Sequence, residues 1–114
     1  MAHPDPHELV RQLIAGEGAV PDVALQRART SDQPLDLVVA ALTRPAETGL
    51  LARALRLAST PRDRQVIAVA SAFIAGDGDR VQALAREHLL DHPDSVLVAW
   101  LAASVPTAQP RPDL

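Results

Sequence analysis

Apolar residues recur at helical spacing along most of this chain, and proline, glycine and capping residues cut the pattern into seven short pieces. Asp5, Pro6 and Glu8 supply an N-cap, a proline at the first helical position and a capping-box acid. They predict a first helix to about Ala15, stopped by Gly16 and Gly18. Pro21 opens a second helix to about Thr30. Ser31 and Asp32 offer the next cap before Pro34, and the third helix carries LDLVVAAL. Pro45 opens a fourth, with Leu50, Leu51, Ala54, Leu55 and Ala58 at helical spacing. Thr60, Pro61 and Asp63 repeat the start signal for a fifth helix. Its Val66, Val69, Ala70 and Phe73, flanked by Ile67 and Ile74, make a broad apolar face. Gly76 to Asp79 predict a left-handed glycine turn with Asp79 as the next N-cap. The sixth helix sets Val81, Leu84, Ala85, His88, Leu89 and His92 on one stripe and stops at Pro93. A seventh, about Asp94 to Ser104, reads SVLVAWLAA and is apolar nearly all round.

No segment alternates with period two, so no strand is predicted. Taken in pairs, the helices begin near residues 5, 33 and 61, and the last pair ends at Pro93. That period of helix, turn and helix marks an α-solenoid, and about three such repeats are what stability needs. The expected fold is all-α: a right-handed α-solenoid of about three antiparallel helical pairs plus a closing helix. The domain is expected over residues 1–104. Residues 105–114, with Pro106, Pro110 and Pro112, have the composition of a disordered end.

Residues 62–93 fit one tetratricopeptide repeat without a gap: Gly76 and Asp77 fall where that repeat turns, and Pro93 where it ends. The stretch TPRDRQVIAVASAFIAGDGDRVQALAREHLLDHPDSVLVAWLAA, residues 60–103, more closely resembles the bacterial tetratricopeptide-repeat-protein-38-like family. It shares a proline-arginine start, a glycine-aspartate turn, a histidine late in the second helix and a histidine-proline end. It departs from the general repeat where tryptophan, leucine, glycine and tyrosine are favoured, having Gln65, Ala68, Val69 and Ala72. In the second helix Val81, Ala85 and His88 replace alanine, an aromatic and alanine. Residues 5–58 share only the period. The resemblance implies a helical scaffold whose relatives bind partners or have no assigned activity. It also puts Val66, Ala70 and Phe73 on the face that in such repeats lines a concave groove, edged here by Arg62 and Asp63. An apolar groove is expected to be covered by the chain's own helices or to take an apolar helix or peptide.

Composition narrows this picture. With 114 residues the chain makes one ordinary domain and has no room for a second core. Phe73 and Trp100 are its aromatics, so base-stacking platforms are not expected. All eleven basic residues are arginine and ten of the fourteen acids are aspartate, which reads as the codon bias of a GC-rich bacterial genome. The net charge of −3 and the lack of an arginine stripe argue against nucleic acid. Without cysteine there is no disulfide framework and no thiolate nucleophile. The start MAHPDPHE lacks the basic and apolar parts of a secretory signal, and no apolar run approaches a bilayer span, so a cytoplasmic protein with no membrane partner is expected.

Candidate chemistry gathers at HLLDH, residues 88–92. Histidines at i and i+4 share a helical face, and zinc hydrolases use that spacing. The forward motif needs glutamate where Leu89 stands. The inverted motif is nearer, with Asp91 in the glutamate's place, but no glutamate follows Glu87 to complete the ligands. The favoured expectation is that His88 packs on the inter-helix stripe with its ring nitrogens hydrogen-bonded, while His92 meets the negative helix end. GDGDR fails as a phosphate loop for want of lysine, and as a calcium loop because the twelfth position from Asp77 is His88. His3 and His7 make another i, i+4 pair that with the terminal amine and backbone amides could hold Cu(II) in a square plane, but a frayed terminus is the expectation. Ser59, Ser71, Ser95 and Ser104 sit on no strand-to-helix elbow, so no catalytic triad is expected.

The expectation is a non-enzymatic scaffold without cofactor or metal, binding a protein or peptide at Arg62, Asp63, Val66, Ala70 and Phe73. Arg53 and Arg56 are candidate contacts for an acidic peptide. Two alternatives stay open: a small metal-dependent hydrolase using His88 and His92, and a self-associating fragment of a longer solenoid. In the second, a homodimer is anchored by Val96 and Trp100 on the seventh helix.

Overall fold

Pro, Gly and capping residues set most helix ends in this computed structural model, which describes residues 6–15, 20–45 and 49–105. Among these the elements are seven α-helices and no strand: α1 Pro6–Ala15, α2 Val20–Thr30, α3 Pro34–Thr43, α4 Leu50–Leu57, α5 Pro61–Ile74, α6 Gly78–Asp91 and α7 Val96–Ser104. No helix among the described residues is long and apolar enough to cross a membrane. Asp5, His3, Gly16, Gly18 and the tail beyond Val105 lie outside the described residues.

The start of α5 follows the sequence closely. Thr60 is extended, its hydroxyl accepts the Asp63 N–H at 3.1 Å, and the Asp63 carboxylate accepts the Ser59 N–H at 3.3 Å. Two orphan donors at the helix start are thereby satisfied by side chains. At its other end Gly76 takes φ +76°, and the Gly76 and Asp77 N–H groups close on Phe73 and Ala72 carbonyls. This is a Schellman ending, which a residue with a Cβ would strain.

Four expected boundaries move. Asp77, not Asp79, caps α6 by accepting the Arg80 N–H at 3.2 Å, because the Schellman turn finishes at Asp77 and α6 begins on the next residue. Pro45 lies in a turn, and α4 starts only at Leu50, after Gly49 at φ +100°. A left-handed residue cannot continue a right-handed helix, so that glycine sets the start. The cap of α3 is Gln33, without a side-chain cap bond. Ser31 instead accepts the Gln33 N–H at 2.9 Å and donates its hydroxyl to Asp36 at 2.6 Å. Helix α7 begins at Val96, with Ser95 as its N-cap, two residues later than Asp94.

The core centres on α3, which buries six consecutive residues, Asp36 to Ala41, against α1, α2, α4 and α5. Around it lie Val10, Ala28, Ala54, Ile67, Val69, Ala70, Ala72, Val81, Ala85, Leu97, Val98 and Leu101. Small alanines let the helices approach closely while valine and leucine fill the spaces between them. Buried Asp36 is held by the Ser31 hydroxyl and, at 3.4 Å from each oxygen, by the Arg27 guanidinium of α2. A buried carboxylate needs such partners to stay charged. The odd-numbered helices α1, α3, α5 and α7 pack in succession, and α1 also reaches α7.

Candidate functional site

A cleft of about 520 Å³ opens where the odd-numbered helices converge. Each of them gives it an apolar residue: Val10 from α1, Val38 from α3, Val66 from α5 and Leu97 from α7. Val10, Val38 and Leu97 are buried and form its floor, while Val66 is half-buried. Leu35 and Leu57 extend the apolar wall. The edge is charged, with Asp32, Arg62, Asp63 and Asp94.

The charged residues at the edge are partly committed already. Arg62 lies 3.4 Å from Asp94, in a pair whose carboxylate is 75 % exposed. Such an open pair contributes little to stability. Asp63 caps the start of α5 as described above. Asp32 is exposed at the entrance.

The expected groove along Val66, Ala70 and Phe73 divides in two. Arg62, Asp63 and Val66 line the cleft, as their positions in the sequence imply. Ala70 is fully buried and offers a partner no surface, which corrects its place in the expected contact set. Phe73 is half-buried against Trp100, with ring centroids 6.5 Å apart and a 32° tilt. Helix α7 fills this end of the groove because its nearly all-apolar surface packs on α5 and α6. Of the expected self-association pair, Trp100 is thus half-covered, whereas Val96 stands 58 % exposed at the cleft. Arg53 is a further correction. Its guanidinium donates to the Ala28 carbonyl at 2.7 Å and the Ser31 carbonyl at 3.1 Å, so it closes the end of α2 and is half-buried there rather than free on a solvated helix face. Arg56 is exposed.

His88 sits on the packing stripe beside Val81 and Ala85, 1 % exposed. Its Nδ1–H donates to Gln65 Oε1 of α5 at 2.7 Å, and the buried Nε2 has no hydrogen-bond partner among the described residues. Thus one of the two ring nitrogens is satisfied. Two departures from the tetratricopeptide pattern are therefore one feature: Gln65, where tryptophan is favoured, and His88, where alanine is usual, meet across the helix pair. The His92 ring lies 4.9 Å away, tilted by 36°. Burial lowers the His88 pKa from its ordinary 6.5, helped by the charges of His92 and Arg62 and opposed by Asp91 and Asp94. No three His, Cys, Asp or Glu side chains among the described residues gather to hold a metal ion.

Comparisons with family models, curated proteins and solved structures found no match. The site residues that sequence reasoning missed are Val10, Val38, Leu97 and Gln65. A signal for two of them exists, since Val10, Val38 and Val66 stand 28 residues apart, the same interval that separates the first three pair starts. For Gln65 the signal is its polarity on a helix whose neighbouring apolar positions face the core.

Proposed function

We propose that the chain is a non-enzymatic helical scaffold of tetratricopeptide-repeat type that holds a partner protein or peptide in the cleft, in the cytoplasm. In this reading α1/α2, α3/α4 and α5/α6 are the antiparallel pairs of a right-handed α-solenoid, and α7 closes the last pair. The succession of contacts from α1 to α3, α5 and α7 supports it, as does the 28-residue interval of the cleft valines. The observation that carries the functional reading is the cleft itself, with an apolar lining drawn from four helices and a charged edge. Such a surface suits an amphipathic segment that lays an apolar side chain beside Val66 and Leu97 and a polar one at Asp32 or Asp94.

A photo-crosslinking residue at position 96 tests this. It is expected to capture a partner other than the chain itself, and Val66→Glu is expected to abolish capture while the far-ultraviolet circular dichroism is unchanged. Capture that persists in Val66→Glu would count against the cleft. Self-association is the second reading, favoured by the exposure of Val96. It predicts crosslinks between copies of the chain, and identical monomeric sedimentation of wild type and Val96→Asp at micromolar concentration would remove it.

A further inference from the structure

His88 shares its buried stripe with the apolar Val81 and Ala85. Its imidazole is buried with one hydrogen bond, to Gln65, and with a second nitrogen that has no hydrogen-bond partner among the described residues. The groups around it come from each packed element. Helix α5 contributes Arg62 and the uncharged Gln65, and α6 itself contributes His92 and Asp91. The segment before α7 contributes Asp94, and Arg64 and Glu87 border the shallow recess beside the ring. Helix α7, which also packs on α6, carries no titratable side chain.

We infer that His88 is an acid-sensitive wedge: its neutral ring is buried between α6 and α5 with Nδ1–H on Gln65, and a proton at Nε2, which keeps that bond but has no acceptor of its own, destabilises the packing of α6 on α5 and loosens the Arg62–Asp94 bridge at the cleft edge. A proton taken up at Nε2 adds a donor where no hydrogen-bond acceptor is in place, so the charged ring is poorly solvated. It also adds positive charge close to Arg62. Arg62 is repelled and Asp94 attracted, so the bridge they form is pulled apart from both sides. Because Arg62 and Asp94 also line the cleft, the change reaches it whatever the cleft binds.

The sign follows from burial. His88 is depressed in the folded protein below its ordinary 6.5, so the unfolded chain binds the proton more readily. Its contribution to stability is complete above pH 6.5 and is lost as pH falls from there towards the folded value. Urea denaturation of the full chain between about pH 7.5 and about pH 5 reads this out. The wild-type midpoint is expected to fall on acidification, with the unfolding constant rising up to about tenfold for each unit of depression. His88→Leu loses this fall, and His92→Gln keeps a reduced one. Equal pH dependence in wild type and His88→Leu overturns the inference. A proton NMR titration of the wild-type imidazoles needs no variant, and so stands even where His88→Leu does not fold. It is expected to place His88 below 6.5, with the backbone amides of Ser95 and Val96 following the same curve. A His88 midpoint at or above 6.5, or amides that do not follow it, overturns the inference.

Discussion

Helices α3 and α7 are written in nearly the same apolar alphabet, LDLVVAAL and VLVAWLAA, yet the fold treats them differently. Helix α3 is enclosed by four neighbours and buries every residue from Asp36 to Ala41. Helix α7 leans on α5 and α6 with α1 at one side, and buries only Leu97, Val98 and Leu101. Its Val96 and Ala99 face outwards. An all-round apolar helix is usually an enclosed one. Here the number of packed neighbours, which depends on place in the chain, decides how much of that surface is used. A polar residue separates the two as well: α3 tolerates a buried carboxylate because Ser31 and Arg27 hold it, whereas α7 buries no charge.

Mutations at matched positions test this contrast. Leu37→Ala on α3 should cost about 4 kcal/mol in urea denaturation, near the upper part of the range for leucine truncation, because four surrounding helices resist collapse into the cavity. Leu101→Ala is equally buried but lies on the helix with fewer neighbours, and should cost about 2–3 kcal/mol. If Leu101→Ala proved the more costly, the enclosure argument would fail. Asp36→Ala should cost about 2 kcal/mol, because it strands the Ser31 hydroxyl and removes one partner of a half-buried arginine. Val96→Ser should change stability by less than about 0.5 kcal/mol, since the side chain is largely outside the core. A larger loss would place Val96 in a buried contact of the protein in solution.

Much of the helical order was legible because proline and glycine act locally. Pro34 and Pro61 open helices, Gly76 turns the chain left-handed, and α6 ends just before Pro93. Two of the boundaries that moved have a local cause: one residue serves two ends, as Asp77 does, or a glycine overrides a proline, as Gly49 does. The cleft was half legible. Arg62, Asp63 and Val66 lie together at the start of α5 and line the cleft, but the closure of its far end over Phe73 depends on where α7 comes to rest. No local pattern encodes that. The partner of His88 was hidden for a related reason, because a hydrogen bond between residues 23 apart in sequence is a product of helix register.

The reach of Arg53 back to the end of α2 has a consequence for how the protein comes apart. A helix usually ends on its own glycine or on water, but here the Ala28 and Ser31 carbonyls are closed by a side chain 25 and 22 residues further along the chain. This cap couples two helices, since α4 cannot fray without uncovering the end of α2. A fragment cut in the α3–α4 connection is therefore expected to lose part of α2 along with the helix removed.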